Sequence, residues 1–156
     1  MIKIFFITGA EGVGKSTLIK VLKNKLKKTK IYDFDEVGVP INPPLSWRYK
    51  TTKHWLKVAN KNNKDTMVIG LSFPKEILRF SNSKENLYFC LLDINIKERE
   101  KRLKKRGAQK EVIKDLKELK NLREQFKHLK HFKKINVSNL KPNEIANKIF
   151  DWIKNN

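Results

Sequence analysis

The chain is 156 residues long, with 39% hydrophobic residues and a single cysteine. That length suits one domain, residues 1–156, with a core of its own. No apolar run approaches a membrane span, and one cysteine excludes a disulfide framework or a zinc pattern. The formal net charge of +20 favours acidic partners such as nucleotides, anionic metabolites or nucleic acid, but Lys outnumbers Arg 30 to 6. That bias points to lysines on solvated helix faces more than to selected phosphate-binding forks.

The chain opens on Ile2-Lys-Ile-Phe-Phe-Ile-Thr8, an apolar run rich in β-branched and aromatic residues. Its pattern is that of a buried parallel strand rather than a signal peptide. Gly9-Ala10-Glu11-Gly12-Val13-Gly14-Lys15-Ser16 follows and matches G-x-x-x-x-G-K-[ST]. Leu18, Val21, Leu22 and Leu26 then recur at helical spacing, which predicts a helix over residues 14–28. Strand, glycine loop and helix together are the context that gives the motif its meaning as a phosphate-binding loop. The glycines let successive backbone N–H groups point into one concavity, where a helix N-terminus adds partial positive charge. The expectation is a nest for a nucleoside triphosphate. Lys15 reaches the β- and γ-oxygens, the Ser16 hydroxyl is a Mg²⁺ ligand, and Thr17 faces the α-phosphate.

A short second strand starts at Lys30 and ends in acids, Asp33-Phe34-Asp35-Glu36. Carboxylates at the C-terminal end of a strand beside a phosphate-binding loop stand where ligands bind in open parallel sheets. Alternation predicts Asp33 and Asp35 on the same side of the chain. At this point the sequence resembles the small P-loop kinases of the nucleoside/nucleotide-kinase and shikimate-kinase-like superfamily. In shikimate kinases an Asp-x-Asp follows strand two, one Asp holding Mg²⁺ through water and the other contacting the substrate hydroxyl. The resemblance maps that pair onto Asp33 and Asp35. Asp35 is the first choice for the acceptor base and Asp33 for the metal contact, with the reverse assignment open.

Pro40, Pro43 and Pro44 mark residues 37–45 as a loop. Ser46 is placed to cap a helix over residues 47–61. The resemblance makes residues 37–63 the substrate-binding segment. Trp47 suits stacking on a ring and Arg48 an anionic group, although Trp47 and Trp55 also fit a simple buried face. The third strand, residues 66–72, ends in Gly70-Leu71-Ser72. The resembling kinases often carry an acid there, and shikimate kinases a glycine triplet. Both are absent, which moves the metal role toward Ser16, Asp33 and Asp35 and argues against shikimate as acceptor. A short helix begins at Pro74.

Residues 86–93 read as the fourth strand, with Cys90 as a buried thiol suited to a reducing, cytoplasmic compartment. Asn95 and Glu98 have the spacing of a capping box. The helix over residues 96–106 carries Arg99, Arg102 and Arg106, half the arginines of the chain, and stops at Gly107. By resemblance this helix leads into a short lid over residues 106–112, with Arg102 and Arg106 closing over the transferred phosphoryl group. Leu116, Leu119, Leu122, Phe126 and Leu129 predict one helix over residues 112–129. A fifth strand, residues 133–138, precedes a loop in which Asn139 and Leu140 are placed by resemblance at the adenine, and Pro142 opens the last helix.

Five strands separated by helices predict a three-layer α/β fold with right-handed crossovers. The resemblance implies the parallel order 2-3-1-4-5. It also implies an ATP- and Mg²⁺-dependent kinase acting on a small, nucleoside- or nucleotide-like acceptor. A nucleic-acid-directed kinase and a nucleotide-binding NTPase or regulator without an acceptor remain the alternatives.

Overall fold

The computed structural model describes residues 1–156. Five parallel strands, β1 (Ile4–Thr8), β2 (Lys30–Asp33), β3 (Thr66–Ile69), β4 (Leu87–Asp93) and β5 (Lys133–Asn136), form one sheet in the order β2-β3-β1-β4-β5. The predicted fold class and strand order are thus the observed ones. The sheet is in register from Ile4, which pairs with Thr66 on one side and Leu87 on the other. All five residues of β1 are buried, because helices cover both faces of the sheet.

Alternation along β1 divides the core. Phe5 and Ile7 point into a cluster with Leu18 and Leu22 of α1 (Lys15–Lys25) and Ile145 and Ile149 of α7 (Pro142–Lys154). Ile4 and Phe6 point the other way, toward Trp55 and Leu56 of α2 (Leu45–Lys61), Ile77 of α3 (Pro74–Phe80), and Leu122 and Phe126 of α6 (Lys117–Lys127). Trp55 is therefore a core residue, and its indole N–H donates to the Phe34 carbonyl at 2.9 Å. Cys90 is fully enclosed, and burial pushes its thiol far up from the ordinary range. No helix is long and apolar enough to cross a membrane.

Several boundaries differ from expectation for local reasons. Residues 34–37 do not continue β2 but form a 3-10 turn. Asp33 caps it by accepting from the Asp35 N–H at 2.9 Å, while Glu36 accepts from the Asp33 N–H at 3.2 Å. The cap thus ends the alternation that would have put Asp33 and Asp35 on one side. Helix α2 begins after Pro44, so Ser46 lies inside its first turn. Asn95 precedes α4 (Ile96–Lys105) without capping it. Its side chain instead accepts from Asn136 at 3.2 Å, and Glu98 pairs with Arg102. The helix predicted over 112–129 is two: α5 (Lys110–Lys114), then α6, with Asp115 accepting from the Lys117 N–H at 2.9 Å in the break between them.

Candidate active site

The strands run in parallel, so their C-terminal ends share one edge, and a cleft of about 790 Å³ opens there. Its floor is the phosphate-binding loop, with Ala10, Glu11, Gly12, Gly14, Lys15, Ser16 and Thr17 in its lining. Gly9 and Val13 lie beneath: an added Cβ at Gly9 would stand 2.9 Å from the Leu92 carbonyl of β4, and Val13 is buried in the core. Gly12 has φ 95°, a left-handed conformation that side chains rarely adopt, and it packs against Arg99 and Leu103.

Lys15 curls back over the loop. Its ammonium donates to the carbonyl of Gly9 and, at 3.2 Å, to that of Ala10. Loss of hydration lowers its pKa to about 8, against the pull of the nearby Glu118, Asp35, Glu11 and Asp33. Asp35 stands in the same lining, delivered by the 3-10 turn. Its carboxyl is held above the ordinary range, first by partial desolvation and then by the Asp33 charge, with Lys15 opposing. That turn fits only because residue 70 lacks a side chain. An added Cβ at Gly70 would meet the Phe34 Cβ at 2.3 Å. The glycine at the end of β3 thus makes room for Asp35 in the cleft. Asp33 does not line the cleft, since its carboxylate caps the turn.

The other wall is Val39, Pro43, Pro44, Trp47, Arg48 and Leu71. Trp47 is half-buried, edge-on to Phe34, with its indole N–H donating to the Gly38 carbonyl at 3.0 Å. Arg48 was expected to be free for an anionic substrate group. It is instead bound side-on by Glu76 of α3, with Nε 3.0 Å from both carboxylate oxygens and Nη2 also donating to Oε1. The guanidinium lies over the Phe73 ring at 4.4 Å.

The two arginines of α4 and Arg106, which caps its C-terminus, have separate tasks. Arg99 is 3% exposed. Its fork donates to the Glu11 carbonyl of the loop at 3.0 Å and to the Ile113 and Val112 carbonyls at 3.0 and 3.3 Å. It therefore ties the phosphate-binding loop to α5. Arg106 lines the cleft and pairs with Glu11 at 2.6 Å, both side chains half-exposed. Arg102 does not reach the cleft. It donates to the Val137 and Ser138 carbonyls at 2.8 and 3.4 Å and to Glu98 at 3.1 Å, because Glu98 and the loop after β5 present acceptors on that side of α4. Asn139 lies in a separate shallow depression with Asn95 and Arg123, and Leu140 packs on the core.

Two acids come from the structure alone. Glu118, at the start of α6, joins the cleft lining. Its pKa is raised by desolvation, with Lys15 opposing. Glu76 holds Arg48. Glu118 sits in a charged amphipathic stretch where solvated acids are the rule, and Glu76 lies 28 residues from its partner, so neither carried a local signal.

No three-carboxylate metal cluster is present. A Mg²⁺ bound with a nucleotide needs few protein ligands, since water and phosphate oxygens fill most of its shell. Among the oxygen-bearing side chains of the lining, the Ser16 hydroxyl in the first turn of α1 fits that requirement.

Comparison with solved structures identifies the architecture. The chain superposes on the Deinococcus radiodurans tunicamycin resistance protein with a TM-score of 0.72 at 18% identity, covering 98% of this chain and 96% of that one. It is similar to the YorR protein of Bacillus subtilis, solved in complex with phosphorylated GDP (TM-score 0.70, 19% identity, 97% and 96% covered). It is also similar to shikimate kinase from Aquifex aeolicus (TM-score 0.65, 20% identity, 97% and 96% covered). No family model matches the chain, and no curated protein matches it in sequence. At these identities the likeness is one of fold: the chain shares the five-stranded parallel α/β architecture of these structures.

Proposed function

We propose that the protein is an ATP- and Mg²⁺-dependent kinase that phosphorylates a hydroxyl of a small, nucleoside-like acceptor. The observation that carries this reading is the presence of Lys15 and Asp35 in one cleft, beside an apolar wall large enough for a ring. The loop amides and Lys15 hold the β- and γ-phosphates, and Lys15 stabilises charge that develops as the γ-phosphoryl group leaves. Asp35 accepts the proton of the acceptor hydroxyl. The hydroxyl oxygen then bonds to the γ-phosphorus, the bond from that phosphorus to the bridging oxygen breaks, and ADP departs. Trp47 and its neighbours orient the acceptor and exclude water. Residues 37–63 serve as the acceptor segment and residues 106–112 as a short lid.

Arg106 is the lid donor best placed to join the phosphates. Its ion pair with Glu11 is half-exposed, and such pairs are worth only about 1 kcal/mol or less, so a triphosphate displaces Glu11. Arg102, Asn139 and Leu140 lie at the α4 and β5 side, where they would border the base rather than the transferred group. Ser16 would hold Mg²⁺, which when bound offsets phosphate charge, and Asp35 stays free to act as the base. Asp33 supports Asp35 through the cap.

The test is ADP release with ATP alone and with an acceptor screen of nucleosides, nucleotides, sugars and oligonucleotides, followed by mass analysis of the product. The proposal expects acceptor-dependent ADP release. Equal release with and without every acceptor would make the protein an NTPase.

A further inference from the structure

The electrostatics of the acceptor wall narrow the substrate class within the kinase reading on which this inference rests. Three cations line the cleft, Lys15, Arg48 and Arg106. Lys15 belongs to the phosphate-binding loop, and Arg106 is paired with Glu11 beside it. Arg48 is thus the one cation of the acceptor wall, and Glu76 engages two of its nitrogens. The pair is packed on the side away from the cleft. Phe73 lies beneath the guanidinium at 4.4 Å, Pro74 is buried at the start of α3, and the Glu76 side chain keeps only 11% of its surface. Arg48 Nη1 makes no hydrogen bond within the protein.

An anionic group on the acceptor would meet this pair as a neutral unit. At Nη1 alone it would add a second negative charge beside Glu76, and to claim the Nε–Nη2 edge it would have to break charge-assisted bonds and leave Glu76 unpaired in a buried position. It would also sit in a cleft that already holds the Asp35 carboxylate. The free Nη1 remains a donor to a neutral oxygen. Val39, Pro43, Pro44, Trp47 and Leu71 supply an apolar surface for a ring.

From this arrangement we infer that the acceptor is an uncharged ring compound bearing a free hydroxyl, a nucleoside or neutral sugar derivative, and that the Arg48–Glu76 pair selects it against phosphorylated or carboxylated analogues. Glu76 is the specificity-determining residue. It neutralises the one cation that would otherwise recruit an anion.

The experiment compares the full chain on two acceptor panels at equal concentration, with ATP and Mg²⁺. One panel holds uncharged nucleosides and hexoses; the other holds the matching monophosphates and sugar acids. The expected result is a kcat/KM for the best neutral acceptor about 100-fold above that of its charged counterpart. E76Q, which leaves Arg48 with its positive charge unopposed, is expected to shift that ratio by about tenfold or more toward the charged analogue. A wild-type preference for the charged panel overturns the inference and leaves the kinase reading standing, and that comparison does not depend on the variant folding. A folded E76Q protein with an unchanged ratio also overturns it. Absence of transfer to both panels, with nucleotide binding retained, overturns the kinase reading and this inference with it.

Discussion

In the proposed reaction Lys15 and Asp35 carry the chemistry, and each is displaced from its ordinary titration by the cleft. Desolvation brings Lys15 down to about 8 in the free protein, and phosphate binding raises it again. The sign follows from linkage. Below pH 8 the ammonium is already formed, and above it nucleotide binding must take up a proton. ATP affinity should therefore be flat near pH 7 and about tenfold weaker at pH 9, with the dependence absent in Lys15→Ala; calorimetric titration in two buffers of different ionisation enthalpy reads both the affinity and the proton uptake. Lys15→Ala itself should lower turnover by about 10²–10³-fold in a protein with an unchanged circular dichroism spectrum. Asp35 is raised by desolvation and by Asp33. The acid limb of kcat/KM should fall above the range of a free carboxylate, and Asp35→Asn should lower transfer by about 10²–10⁴-fold while leaving ATP affinity within a few-fold. An Asp35→Asn enzyme with the wild-type rate would leave the acceptor hydroxyl without its base. At this scale the glycine loop was fully legible, because its residues are contiguous and its turn demands the glycines. The partners of Arg48 and Lys15 were not. Glu76 and Glu118 reach them only through the packing of α3 and α6.

At the scale of elements, two joints position the site. The first is the crossing of the Phe34–Val37 turn over the end of β3, which Gly70 permits. Gly70→Ala forces Phe34 aside and should cost about 1–3 kcal/mol, read as a lower thermal midpoint together with a raised KM for the acceptor, since Asp35 moves with the turn. The second is Arg99, which spans the loop and α5 with three backbone bonds. Arg99→Lys keeps the charge but not the fork. It should lower kcat about tenfold more than it weakens ATP binding, and speed amide exchange in residues 110–114. Equal exchange in the two proteins would show that the clasp does not hold α5. The strands and most helices were legible because their apolar periods are strong. The ends of β2 and the break between α5 and α6 were not, because Asp33 and Asp115 each cap a following turn, and an acid in a polar run reads equally well as solvated surface.

Across the whole molecule, the excess of positive charge has no single face. Exposed lysines stand on α1 and α7 on one side of the sheet and on α2 and α6 on the other. A charge spread in this way attracts anions generally and does not build a track for a strand. Any binding to a labelled oligonucleotide should accordingly lose affinity steeply with salt and show no dependence on its sequence or end, as measured by fluorescence anisotropy between 50 and 200 mM salt. In the proposed reaction the deciding charge is local, in the balance between Lys15, Asp35 and the Arg48–Glu76 pair. The most direct test of the account follows the γ-phosphate itself. With ATP labelled at that position and the panel of uncharged hydroxyl acceptors, the label should appear on an acceptor hydroxyl in step with ADP and be lost in Lys15→Ala. Label released only as inorganic phosphate at a rate indifferent to every acceptor, or a labelled product that persists in Lys15→Ala, would contradict it.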